Sequence, residues 1–114
     1  MTDPNQIVPK LLDLKHKDQV RRLGSVMAQL RIIEAKQDEI VAERARLDHK
    51  DATFARLSLQ NGYGRYLQVR SDALRAQAAA LKEQARALQK ALKETIVSQS
   101  ILVSESQLYT GLLS

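Results

Sequence analysis

The chain has 114 residues, 44% of them apolar and 27% charged, with a formal net charge of +5; this describes a single folded domain and not a disordered one. Aromatics are only 4%, and Trp and Cys are absent, which excludes disulfides and a thiolate site and argues against a thick globular core. No apolar run approaches the roughly 20 residues of a membrane span.

The start, Met1-Thr2-Asp3-Pro4, lacks the basic-then-apolar pattern of a secretory signal. Residues 1–8 read as a flexible leader, because Asp3-Pro4-Asn5 disfavours helix and Pro9 suits a first helical turn. The first helix is expected from about residue 9 to 52. Its main apolar track is Val26, Ile33, Ile40, Leu47 and Phe54. The companion track starts at Leu23 and Leu30, then turns polar at Gln37, Arg44 and Asp51. Gly24 costs about 1 kcal/mol against Ala in a helix; it either lets a partner helix come close or is simply tolerated.

Around residues 52–62 the pattern breaks. Asn61-Gly62 is a turn or cap signal, and Gly64 adds freedom. The seven-residue count also slips by one across this stretch, so a continuous helix would rotate its apolar stripe away from the seam. A turn is expected here.

The second helix is expected from about residue 63 to 110. Leu67, Leu74, Leu81 and Leu88 repeat every seven residues, with Ser71, Ala78, Ala85 and Leu92 four residues on. Apolar or small residues at alternating four- and three-residue steps form the seam of a coiled coil. Leu102 and Tyr109 continue the Leu67 track, although residues 95–104 are rich in β-branched residues and Ser. Gly111 reads as a stop, with residues 112–114 as a tail. Two helices of similar length, each with one apolar stripe, predict an all-α fold: a long antiparallel two-helix coiled-coil hairpin.

Catalytic chemistry finds no foothold. His16 and His49 are thirty-three residues apart, and Asp13 beside His16 is the closest pairing to a second ligand, so each reads as a solvated histidine, and no metal is expected. Gly62-Tyr63-Gly64 lacks the third Gly and the preceding strand of a phosphate-binding loop. No Ser has a His or Lys arranged about it, and a two-helix hairpin is expected to offer no concave pocket. Neither enzyme activity nor a cofactor is expected.

Binding features are clearer. Between residues 65 and 93, seven Lys or Arg stand against only Asp72 and Glu83, which favours acidic partners. Lys82, Arg86, Lys90 and Lys93 form a stripe beside the Leu seam. It is either a solvated face paired with Glu34, Asp38, Glu39 and Glu43, or a contact for an acidic surface. Nucleic acid is disfavoured, because no aromatics interleave with these cations for base stacking. Tyr63 and Tyr66 flank the turn with Phe54; they either lock the tip or present one ring as an interface anchor. Ala73, Ala76, Ala80 and Ala87 form a smooth secondary face suited to another helix.

Leu11-Leu12-Asp13-Leu14-Lys15 opening one helix, and Tyr63-x-x-Tyr66-Leu67-Gln68 followed by Ala73-Leu74 opening another, resemble the FliJ family and its YscO-type relatives. These are small export proteins of bacterial flagellar and virulence type III secretion. The resemblance covers most of the chain, which is shorter than is usual for FliJ, chiefly at the C-terminal end. It implies a hairpin resembling the central stalk of a rotary ATPase. The end carrying both termini enters a hexameric export ATPase, and the body meets the cytoplasmic domain of the export gate; some members also bind export chaperones. The location implied is cytoplasmic, at the inner-membrane export apparatus.

Carried over by position, the gate surface comprises Tyr63, Tyr66, Arg70 and Ala73, with Arg70 standing where family members can have an apolar residue. The ATPase end uses residues 11–22 with 96–109, in particular Leu11, Leu14, Lys15, Arg21, Arg22, Leu102 and Tyr109. Its cations suit an acidic ring interior, though solvation also explains them. The alternatives are a generic coiled-coil scaffold or basic nucleic-acid-associated hairpin, and a type III secretion chaperone.

Overall fold

A computed structural model describes residues 4–48 and 62–113, with the side chains of residues 4, 5, 48, 109, 110, 112 and 113 left out. Two helices account for them: α1, Pro4–Asp48, and α2, Tyr63–Leu113. The chain is an all-α, antiparallel two-helix coiled-coil hairpin, and no strand occurs among the described residues. The expected turn at 52–62, Phe54 and His49 lie outside the described residues, apart from Gly62.

Ala, Leu, Gln, Glu, Lys and Arg dominate both elements and all favour helix. α1 starts at Pro4, inside the stretch read as a leader. Proline suits a helix start because its fixed φ is already helical and its missing N–H would have no partner there. Pro9 therefore lies inside the helix, not at its start, where it removes one bond to the turn before it. Arg46 in the last turn complements the negative end of the helix dipole.

Gly62 introduces α2. Its φ is +77°, a left-handed value open to glycine and strained for other residues. The Gly62 carbonyl accepts a 2.9 Å hydrogen bond from the Tyr66 amide, which starts the helical ladder. At the other end, α2 continues through Gly111 to Leu113, past the expected stop. A single glycine in a helix costs only about 1 kcal/mol against Ala, and does not by itself end it.

The hairpin divides into two compact units, Met27–Glu83 and Met1–Val26 with Gln84–Ser114. In the first, the turn-side unit, Ile40, Leu67 and Leu74 form a buried cluster, packed against by Ile33, Leu47 and Tyr63. Leu30 and Ala78 are buried as well. These are seam positions read from the seven-residue count. The polar seam residue Arg44 reaches across to donate a 2.6 Å hydrogen bond to Gln68 Oε1, and Gln68 Nε2 in turn donates to Asp72 at 2.9 Å. A long side chain can cover a seam while its charged head stays wet.

In the second, the termini-side unit, Val26 and Ala85 are buried. Leu12, Leu23, Leu88, Leu92 and Leu102 are half-buried. Gly24 is exposed, and a Cβ there would meet nothing within 4 Å. Close approach of the hairpin's own second helix therefore does not explain this glycine.

Candidate protein-docking surfaces

The seam of the termini-side unit is unusually polar. Gln19 and Thr95 are both buried. Thr95 Oγ1 donates to the Ala91 carbonyl at 3.1 Å, which satisfies the hydroxyl within its own helix. Gln19 Oε1 has no hydrogen-bond partner. One step along, His16 is half-buried and its Nδ1–H donates to Gln99 Oε1 at 3.1 Å. The reading of His16 as a solvated histidine is thus corrected. It sits in the seam seven residues before Leu23, where a side chain is held between helices.

Besides the apolar residues that line this seam, others of the unit lie on its outside. Leu11 is 58% exposed, Leu14 62%, Ile101 53% and Leu108 69%. Large apolar side chains grouped on an outer face make it a candidate surface for docking. Of the residues expected at the ATPase end, Leu11 and Leu14 share the outer face of α1, with Lys15, Arg21 and Arg22 exposed nearby. Arg21 and Arg22 each contact Asp18 at 2.8 Å. The Arg21 hydrogen bond is the main reason that the Asp18 carboxyl titrates below its ordinary range.

Leu102 does not join Leu11 and Leu14. It lines a groove of about 420 Å³ with Pro9, Leu12 and Gln99, on the seam side. The Tyr109 side chain lies outside the described set. Ile101 and Leu108 escaped the sequence reading, although their spacing from Val97 was there to be counted.

The turn-side unit carries a second surface. Tyr63 is half-buried and donates a 2.9 Å hydrogen bond to Glu43 Oε1 on α1. That bond is the main reason the Tyr63 hydroxyl titrates above its ordinary value. Glu43 also receives Arg46 at 2.5 Å. The Tyr63 and Tyr66 rings stack 6.3 Å apart, 18° from parallel. Tyr66 itself is exposed, with Val69, Arg70 and Ala73. Tyr63 thus ties the helices together, and Tyr66 faces outward. Val69, which the sequence reading omitted, lies three residues after Tyr66 and four before Ala73. These three residues share a face, with Arg70 at its edge.

The basic residues Lys82, Arg86, Lys90 and Lys93 are exposed. Among the described residues no group of three or more His, Cys, Asp or Glu could hold a metal ion. No described helix is long and apolar enough to cross a membrane. No family model, curated protein or solved structure matches the chain.

Proposed function

We propose that this chain is a non-enzymatic stalk and adaptor of a bacterial flagellar or virulence type III export apparatus. It works on the cytoplasmic side of the inner membrane. The observation that carries the reading is the outward display of Leu11 and Leu14 in the termini-side unit, beside a seam that also buries the polar Gln19 and Thr95. Such an end is finished by a protein partner, and the sequence resemblance to FliJ and YscO proteins supplies the class of partner, a hexameric export ATPase. Leu11 and Leu14 contribute the apolar contact, and Lys15 with the Arg21–Arg22 pair contributes positive charge toward an acidic ring interior. Tyr66, Val69 and Ala73 form the surface offered to the export gate, with Arg70 beside them. Export chaperones are further candidate partners.

The mechanism is mechanical. A helical hairpin seated in a ring biases its subunits toward assembly and toward particular nucleotide states, provided it contacts those states differently. The test is turnover and hexamer formation by the export ATPase of the same genome, with and without the purified chain. Stimulation that Leu11→Glu with Leu14→Glu abolishes supports the reading. An ATPase indifferent to the chain contradicts it.

A further inference from the structure

The outer apolar residues of the termini-side unit follow a spacing of their own. On α1 they are Ile7, Leu11 and Leu14, at steps of four and three; on α2 they are Val97, Ile101 and Leu108, at steps of four and seven. All six are exposed. Each set lies opposite the seam of its own helix: Leu14 is two residues on from the half-buried Leu12, and Val97 two on from the buried Thr95. Two residues turn an α-helix by about 200°. Both helices therefore carry two apolar tracks on opposite faces. A helix built this way packs against two neighbours, and the hairpin provides one.

Charge identifies the second neighbour. The α1 track is edged by Lys10 and Lys15, which make no ion pair among the described residues, whereas Asp13 already holds Lys17 and Asp18 holds Arg21 and Arg22. The α2 track has Lys93 one turn before Val97, and from there runs through residues 94–113, which contain Glu94 and Glu105 and no Lys or Arg. Neither acid is ion-paired among the described residues. A basic-edged track and a mainly acidic-edged track, which share a first step of four before Ser104 interrupts the second, occur on the same chain. Packing α1 on α1 sets lysines against lysines, while packing α1 on α2 sets them against glutamates.

The geometry points to self-association through a heterologous contact, in which the Ile7–Leu11–Leu14 track of one copy seats on the Val97–Ile101–Leu108 track of a second copy. Each copy then retains one unused track, so the contact closes into a ring or extends as a filament. The inference does not rest on the export reading; it shares Leu11 and Leu14 with the proposed ATPase contact, so the two contacts compete for one face, and its test uses no other protein.

Sedimentation of the purified full chain tests it. The wild-type chain assembles beyond a dimer with rising concentration, and added salt weakens the assembly. Leu14→Glu and Ile101→Lys each reduce it to monomer. Both positions are exposed, so helicity by circular dichroism stays unchanged; if either variant loses helix, Leu14→Ser and Ile101→Ser replace the pair. Mixing the two variants then restores a one-to-one complex, because each supplies the track that the other lacks. A wild-type chain that stays monomeric overturns the proposal. So does a Leu14→Glu chain that still assembles, or a mixture that stays monomeric.

Discussion

The Tyr63 hydroxyl on α2 donates a 2.9 Å hydrogen bond to the Glu43 carboxylate on α1, beside the buried Leu67. It is a polar clamp between the two helices, and it ties one end of the apolar cluster to the ionisation of a phenol. The Tyr63 pKa is raised above its ordinary value of 10.0, first by that hydrogen bond. A group whose folded pKa is raised contributes stability below its unfolded pKa and loses it as pH rises through the folded pKa. The hairpin is therefore expected to lose stability above about pH 10 as Tyr63 ionises beside Glu43. Tyr63→Phe should lower the melting temperature at neutral pH and remove Tyr63's share of the alkaline loss. Thermal melts of both chains across pH 7 to 11 check this.

The buried cluster sets the scale of stability. Leu67 and Leu74 are both among the most buried residues of the hairpin. Truncating such a side chain costs its transfer free energy plus a cavity. Leu67→Ala should cost about 2–3 kcal/mol, read by denaturant or thermal unfolding. Leu14→Ala, at a position 62% exposed, should stay within about 0.5 kcal/mol. Equal losses at the two positions would mean that Leu14 is buried in the free chain.

Gln19 gives a prediction of the opposite sign. Its Oε1 is buried without a partner, and an unmet buried acceptor costs about 1–3 kcal/mol. Gln19→Leu should therefore stabilise the chain by about 1 kcal/mol. The same variant should not gain in the ATPase stimulation proposed for the chain. A seam retained for stability alone would have an apolar residue here. Calorimetry of the variant reads the sign directly.

The turn-side unit was the more legible part of the sequence. Ile33, Ile40 and Leu47 on α1, and Leu67 and Leu74 on α2, are large apolar residues at seven-residue steps, so counting by seven finds them. Arg44 broke the count, and the fold accommodates it through a wet hydrogen bond to Gln68. Farther along, the same count runs from Leu88 to Thr95 and back from Val26 to Gln19. These are seam positions, yet an apolar pattern gives a polar residue no weight. The β-branched stretch after Thr95 reads as weak helix because propensity ignores which face each residue occupies. Val97 and Ile101 make a second face, countable at a step of four, whose outward direction follows only once Thr95 is placed in the seam. Pro4 shows the local counterpart: proline disfavours helix interiors, yet here it begins α1.

The outward display of Leu11, Leu14 and Ile101 depends on residues 4–26 pairing with residues 84–113. The chain has no native cysteine, so spin labels can be placed at Lys15 and Ser100, both exposed and next to the His16–Gln99 hydrogen bond. Neighbouring helix axes lie about 8–10 Å apart, so pulsed dipolar spectroscopy should find one short distance, on the order of 20 Å once label arms are included. An unbroken helix would separate the labels by roughly 130 Å at about 1.5 Å per residue. No dipolar signal between the labels would contradict the hairpin and every surface derived from it.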